Sequence, residues 1–142
     1  MLVALEERLC VELSGVATVE RGDFLQGGGS YWEIRPANPR SLVVHWLEWG
    51  GEIILQAGGY DLGGRWELER TPGNVEFIEA VVRAVAAGRA VETKAVARSR
   101  VEVVLADGTV AQDTGYEGCA SVLLPLPGWT RWGRTTRYEA YA

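Results

Sequence analysis

The sequence predicts an α+β fold in which a meandering, mostly antiparallel sheet packs against one long amphipathic helix. Three observations support this class: short alternating runs separated by glycine-rich turns, one stretch with helical spacing at about 72–87, and an ordinary composition. The chain has 142 residues, of which 47% are hydrophobic and 23% are charged, values that are typical of a globular protein. We therefore expect residues 1–142 to form a single globular domain.

Two segments show the three- and four-residue spacing of amphipathic helices. The first has a leucine at every third or fourth position, which predicts a short N-terminal helix over Leu2–Leu13. A strand over Leu9–Val19 is the alternative. The second follows Thr71 and Pro72, a pair that suits a helix start because threonine can cap it and proline needs no partner at the first position. We expect this helix to run over about 72–87 and to end at Gly88.

The remaining segments have the alternation and the turn residues of antiparallel strands. The strongest pair is Ser41–Trp49 and Glu52–Ala57, joined by two glycines that allow the positive φ angles of a type I′ turn. Such a turn pairs Trp49 with Glu52 and sets the register of the whole hairpin. Further strands are predicted at 16–21, 31–35, 65–69, 91–97, 99–105, 109–114 and 135–141.

A second hairpin is predicted where an Asp-Gly pair at 107–108 separates two alternating runs. A two-residue turn at this pair places Glu102 opposite Asp113. Like charges in opposed positions destabilise a sheet unless they are neutralised. Arg100 lies on the same face and could clamp them both, whereas a shared-proton dyad or a divalent-cation site is the functional alternative. We favour the clamp, because charge pairs are common on the solvated face of a sheet.

Net charge, apolar run length and cysteine content disfavour several classes of function. The formal net charge is −5, which disfavours nucleic-acid binding because phosphate neutralisation requires a basic surface. No apolar run approaches the ~18–20 residues that span a membrane, and the first residues lack the pattern of a signal peptide. Cys10 and Cys119 have no motif partner, so we expect reduced thiols in the core. Together these features predict a cytoplasmic protein with no membrane partner.

Three polar residues are weak candidates for catalysis, and each also has a structural explanation. His45 is the only histidine, and it has no second nitrogen or thiolate nearby in sequence for metal binding or nucleophile activation. Glu48 shares a strand face with apolar residues, where an unpaired carboxylate is costly, although its place beside a turn also allows solvation. Asp61 lies in a glycine-rich loop that lacks the ending of phosphate-binding motifs. The sequence predicts no metal site and no cofactor.

Tryptophan is frequent in this chain, with six residues, and two of these lie outside the predicted strands. They are Trp129 and Trp132, in a proline- and glycine-rich segment with Arg131, Arg134 and Arg137. Tryptophan and arginine anchor many protein interfaces, and they also stack on single-stranded nucleic acid. A loop that closes over the sheet would use the same residues for packing. We rank a closing loop slightly ahead of a protein interface as the role of this segment, and nucleic-acid binding well behind both.

Two functions of different classes remain. We favour a non-enzymatic protein-binding module, immunity- or adaptor-like, which would use an acidic face or the tryptophan and arginine segment to bind another protein. The chain is similar in size, charge and class to small acidic bacterial proteins such as immunity proteins, an analogy that assigns no role to individual residues. Its partner would be another protein, a basic one if it meets residues 41–82, which hold seven acids against two arginines. The alternative is a small-molecule-binding or enzymatic domain with a tryptophan-lined pocket in which Glu48, His45 and Asp61 are the polar groups. A homodimer through an edge strand is compatible with either function.

Overall fold

The computed structural model describes residues 1–23, 28–59, 63–118 and 126–142, and it contains antiparallel sheets and helices. The α+β class and the antiparallel pairing are thereby confirmed. No described helix is long and apolar enough to cross a membrane. In chain order the elements are α1 (Leu2–Glu12), β1 (Ala17–Asp23), β2 (Ser30–Pro36), β3 (Val44–Trp49), β4 (Glu52–Ala57), β5 (Arg65–Glu69), α2 (Pro72–Ala86), β6 (Ala90–Ala95), β7 (Arg98–Val104), β8 (Val110–Tyr116), α3 (Trp129–Trp132) and β9 (Arg134–Arg137).

The strands form two sheets rather than the one meander that was expected. β1 to β5 follow one another in sequence order in the first sheet, and the second sheet has the order β8-β7-β6-β9. The division falls at α2, because the chain leaves the edge of the first sheet at β5 and begins a new sheet at β6. β9 then returns to the free side of β6 and becomes an edge strand.

Both predicted helices form, with small differences in extent. α2 begins after Thr71, whose Oγ1 accepts a hydrogen bond from the backbone N–H of Asn74 at 3.3 Å, with Pro72 inside the first turn. It has 15 residues, about four turns, so it is a helix of moderate length rather than the long one expected. α1 carries Cys10 on its exposed side, which corrects the expectation of a buried thiol; Cys119 lies outside the described residues.

One contiguous core takes residues from α1, α2 and both sheets. In the first sheet it is centred on Trp46, which is fully buried and stacks on Trp32 with ring centroids 5.9 Å apart. Such aromatic pairs contribute ~0.5–1.5 kcal/mol beyond the area that they bury. The helices therefore cover the apolar face of the first sheet, and this covering decides which polar groups become buried.

The β3–β4 hairpin has the predicted register. Trp49 lies opposite Glu52, and the two glycines between them have φ angles of 60° at Gly50 and 89° at Gly51. Both angles lie in the left-handed region that a type I′ turn requires. This turn therefore fixes the register of β3 against β4.

The β7–β8 hairpin differs from the prediction by one residue. Val104 pairs with Val110, so Glu102 faces Gln112, and Asp113 lies opposite Val101. The loop is longer than two residues because the Asp107 side chain accepts a hydrogen bond from the N–H of Thr109 at 2.8 Å, an Asx turn that extends the connection. A shift of one residue moves a side chain to the other face. The predicted opposition of Glu102 and Asp113, and with it the arginine clamp or dyad, is wrong.

Asp113 instead links the two sheets. Its Oδ2 atom accepts hydrogen bonds from the backbone N–H groups of Gly64 and Arg65, both at 3.0 Å. Next to it, the N–H of Gly63 donates to the hydroxyl of Ser99 at 2.9 Å. Hydrogen bonds to a charged acceptor are stronger than those between neutral groups, so this corner ties β5 of the first sheet to β7 and β8 of the second.

Replacing Asp113 by alanine should destabilise the fold, because two backbone donors at the junction of the sheets lose their charged acceptor. We expect a loss of about 2 kcal/mol in the free energy of unfolding, measured by urea titration. Glu102→Ala is the matched control in the neighbouring strand and should change stability by less than about 0.5 kcal/mol. Equal effects of the two substitutions would contradict the assigned role of Asp113.

Candidate functional site

Of the three predicted catalytic residues, the two that the structure describes do not come together. His45 and Glu48 are three residues apart on β3, and alternation places their side chains on opposite faces of the first sheet. Asp61 lies outside the described residues. A single pocket containing both His45 and Glu48, which the alternative function required, is therefore not formed.

His45 lies in a buried polar region on the sheet face turned away from the helices. It is 2% exposed, and burial lowers its pKa below the usual value, although the nearby Glu33 carboxylate and a hydrogen bond with Gln56 act in the opposite direction. A lowered pKa leaves the imidazole neutral at neutral pH. His45 also lines a cavity of about 400 Å³ together with Glu92.

Glu48 forms a buried pair with a residue that sequence analysis missed. Glu6 of α1 is 3% exposed, and its carboxyl group is hydrogen-bonded to that of Glu48. The sequence contains a signal for this position: Glu6 is four residues after Leu2 and three before Leu9, so it lies on the leucine stripe. Because Glu6 is charged, this spacing alone does not predict its burial. Packing of that stripe on the first sheet brings the two carboxyl groups together.

Two arginines from other elements face the carboxyl pair. Arg70, directly after β5, forms an ion pair with Glu48 in which Nη2 and Oε2 are 3.0 Å apart. Arg21 of β1 acts electrostatically on Glu6, and its guanidinium carbon lies 5.4 Å from the ring centroid of Trp32. Four separate segments thus contribute the charged groups of this site.

Glu6 of this pair gains and loses its proton near neutral pH. Burial raises the pKa of Glu6 to about 7, and the charge and hydrogen bond of Glu48 act in the same direction, while Arg21 and Arg70 oppose them. Arg70 is paired with Glu48, so Glu6 is the member that carries the proton. Two neighbouring carboxyl groups commonly share a proton in this way, because both cannot ionise without cost.

The carboxyl pair lines a cavity of about 300 Å³ that opens to solvent. Trp49 lies at its edge and is 71% exposed. We call this space the Glu6 cavity. The other lining residues come from α1, from the chain before and within β2, and from the tip of the β3–β4 hairpin, and they include Val3, Gly28, Ser30, Gly50, Gly51 and Glu52.

A row of exposed side chains crosses the first sheet next to this cavity. Trp49 lies opposite Glu52, which in turn lies opposite Glu69; we call these three residues the acidic row. Within the described chain neither Glu52 nor Glu69 has an ion pair, since the nearby Arg65 and Arg70 pair with other glutamates. Two like charges in opposed positions, without a cation between them, weaken the sheet.

The predicted tryptophan and arginine set is divided by the structure. Trp129 is 7% exposed and packs beneath Arg100, whose guanidinium carbon is 5.7 Å from the ring centroid. Trp132 is 55% exposed. The three arginines of the set, Arg131, Arg134 and Arg137, are also exposed. Arg134 and Arg137 are the first and last residues of the edge strand β9. Trp129 thus closes the second sheet, and the other four residues form an exposed basic strip.

The chain matches no protein-family model, no curated protein and no solved structure. What the site can do is therefore inferred from its charges. Glu6 can give or take a proton near pH 7, which suits acid–base work or a proton-linked binding step. The acidic row offers an exposed indole beside two carboxylates, an arrangement that attracts cations.

Glu6→Gln should remove a pH-dependent loss of stability. An ordinary glutamate has a pKa of 4.5, and the folded protein raises it to about 7, so the folded state holds its proton more tightly and stability falls as pH rises between these values. Glutamine mimics the protonated form. The variant should equal the wild type near pH 4.5 and exceed it at pH 8 by up to ~3 kcal/mol in unfolding free energy.

Urea unfolding of both proteins across this pH range measures the difference. Glu7→Gln is the matched control, because Glu7 is its exposed neighbour on α1 and its substitution should leave the pH dependence unchanged. A difference between Glu6→Gln and the wild type that does not vary with pH would contradict the buried, shared proton.

The two tryptophans of the C-terminal segment should respond differently to substitution. Trp129→Ala removes a buried ring and should lower the unfolding free energy by ~3–5 kcal/mol. Trp132→Ala removes an exposed ring and should change it by less than about 1 kcal/mol. Thermal and urea unfolding provide the comparison, and a similar loss for both variants would show that Trp132 is also part of the core.

Proposed function

We propose that the protein is a non-enzymatic protein-binding module, immunity- or adaptor-like, whose partner presents a basic surface. The observation that carries this proposal is the acidic row, in which the exposed Trp49 lies beside Glu52 and Glu69. It lies within the acid-rich part of the sequence and at one end of the first sheet.

Trp49 has the features of an interface anchor. Its side chain is 71% exposed, although burial of a tryptophan is strongly favourable, and tryptophan is among the residues that contribute most to binding energy. The short turn at Gly50 and Gly51 holds it at the tip of a hairpin with a fixed register. An anchor on a rigid hairpin loses little conformational entropy when it binds.

The carboxylates beside Trp49 indicate the charge of the partner. Glu52 and Glu69 repel each other across the strands, and a cation placed between them would relieve this cost. An arginine or lysine side chain could stack on the indole and form an ion pair with either carboxylate. The net charge of −5 would also steer a basic partner towards the protein and speed association.

The basic strip (Arg131, Trp132, Arg134 and Arg137) is a second contact surface within the same proposal. It is exposed, and β9 has a free side on which a further strand could be added. Its charge suits an acidic segment. Because the acidic row has the opposite charge, the strip of each copy in a two-fold symmetric pair could contact the row of the other. A homodimer is therefore compatible with this proposal.

A second candidate function is favoured by one observation, the Glu6 cavity. A carboxyl group with a pKa of about 7 in a cavity of about 300 Å³ is the kind of group that enzymes use as a general acid or base. Under this function Glu48→Gln would abolish binding of a small molecule. We place it second because His45, the other expected polar group, lies on the opposite face of the sheet.

The cytoplasmic location expected from the sequence belongs to this proposal as well. Its support is the sequence pattern, with two cysteines that lack a motif partner. The partner would then be another cytoplasmic protein, and nucleic acid remains the less favoured ligand because of the negative net charge.

Affinity capture from native extract, with the bound proteins identified by mass spectrometry, tests the proposal. The wild type should recover a stoichiometric partner with a basic surface. Trp49→Ala should weaken the isolated complex by at least about 30-fold, the usual loss at a hot spot, and the double variant Glu52→Gln/Glu69→Gln should slow its association. Tyr116→Ala is the control for loss of an exposed aromatic ring outside both contact surfaces, because Tyr116 is 57% exposed, and it should retain the partner.

Two results would count against this proposal. Full binding by Trp49→Ala together with loss in Trp132→Ala would move the interface to the basic strip and favour an acidic partner. A small molecule that co-purifies with the protein in native mass spectrometry, with no protein partner, would favour the second candidate function.

A further inference from the structure

Among the described residues that line the Glu6 cavity, the acids outnumber the bases by one. Glu6, Glu48 and Glu52 are the acids, and Arg21 and Arg70 are the bases. The proton shared by Glu6 and Glu48 now supplies the missing charge. A bound cation could supply it equally well, and it would then displace the proton.

Glu6 is the group that this cation would meet. Its side chain is buried, it lines the cavity, and its hydrogen-bond partner is another acid, Glu48. Arg70 is paired with Glu48, and Arg21 lies over Trp32. Among the residues that the structure describes, no lysine or arginine nitrogen lies within 4.0 Å of the Glu6 carboxylate, so an ionised Glu6 has no ion pair of its own.

The shape of the cavity suits the end of a side chain. Its volume of about 300 Å³ is about ten times that of one water molecule in the liquid. Trp49 lies at the opening, where its exposed ring could stack on the planar head group or the methylene chain of an entering arginine. The cavity and the acidic row meet at Trp49 and Glu52, so one bound partner could occupy both.

We propose that the Glu6 cavity receives the guanidinium group of an arginine side chain from the basic partner, and that this group replaces the proton on Glu6. This inference rests on the proposed function and names what the partner inserts. The step is an ion exchange: the carboxylic acid of Glu6 loses its proton to solvent, and the resulting carboxylate forms an ion pair with the guanidinium. No covalent bond other than O–H is broken.

Guanidinium fits the site better than other ions. It is planar, remains charged at all relevant pH values, and donates two parallel hydrogen bonds to carboxylate oxygens, whereas an ammonium is a compact and strongly hydrated charge. Glu6 and Glu48 lie together and so provide neighbouring acceptors. An anion would meet a cavity that is lined by three acidic residues, and it would be disfavoured.

The exchange makes binding depend on pH. The charged groups that face Glu6 are Glu48 from β3, Arg21 from β1 and Arg70 after β5, and Glu52 lines the same cavity. Because the pKa of Glu6 is about 7, it is mostly protonated at pH 6 and mostly ionised at pH 8. Affinity for arginine should therefore rise about tenfold over this interval and level off above it.

Isothermal titration calorimetry of the full chain tests this inference with a defined probe, N-acetyl-Gly-Arg-Gly-amide. The matched control probe contains citrulline, which has the shape of arginine without its charge. At pH 7 in two buffers of different ionisation enthalpy, arginine binding should release about half a proton per site, and the citrulline peptide should not bind. Glu6→Gln should lose the proton release, whereas Glu7→Gln should retain it.

Several results would overturn this inference. They are arginine binding that is independent of pH between 6 and 8, binding without proton release in the wild type, and equal binding of the citrulline peptide. The wild-type measurements alone decide the outcome if Glu6→Gln does not fold. Ethylguanidinium, which has the same head group without a peptide backbone, serves as a third probe: it should compete with the peptide and release the same fraction of a proton. Failure to compete would overturn the guanidinium as the bound group.

The two proposals can fail separately. If Trp49→Ala loses the captured partner while arginine binding in the wild type shows no proton release, the basic-partner function stands and the cavity inference fails. If arginine binds with proton release but the partner is retained by Trp49→Ala, the cavity binds guanidinium and the acidic row is not the interface.

Discussion

The packing of the α1 leucine stripe against the first sheet is the constraint on which the site depends. It buries Glu6 beside Glu48, and this burial is the main cause of the raised pKa of Glu6. α1 is held in place partly by ion pairs with α2, Arg8 to Glu79 at 2.8 Å and Arg83 to Glu12 at 3.0 Å. Each such exposed ion pair contributes little to stability, so apolar packing supplies most of the free energy that holds α1 in place. If α1 were absent, Glu48 would remain a carboxylate near the end of the central strand β3, paired with Arg70, and no shared proton would exist.

Turn chemistry decides how far the fold could be predicted from the sequence. The β3–β4 register follows from two glycines, because few other loops bring both residues to positive φ angles. The β7–β8 register depends on a side chain, since Asp107 binds a backbone N–H group and lengthens the loop. That hydrogen bond competes with the two-residue turn and shifts the strand by one position. The division into two sheets depends on where α2 docks, and alternation within single strands contains no information about docking.

The site was predictable in part. The sequence identifies Glu48 as a candidate because it shares a strand face with Trp46, and the structure confirms that shared face. Glu6 escaped notice because charged residues between leucines usually form the solvated face of a helix, although its spacing puts it on the buried stripe. Arg21 and Arg70 come from distant parts of the chain, and only tertiary packing brings them to the pair. The C-terminal tryptophans show the same limit, because local sequence does not distinguish the buried Trp129 from the exposed Trp132.

The edge strand β9 has a consequence for how copies of the protein meet at high concentration. An open strand edge is a template on which identical chains can polymerise. In an antiparallel pairing of two β9 strands in full register, Arg134 of each copy would lie opposite Arg137 of the other, so cations would be opposed at both ends of the ladder. The arginines therefore act as gatekeepers against edge-to-edge aggregation. The same strand stays open to unlike segments that bring negative charge, which makes it selective without any shaped pocket.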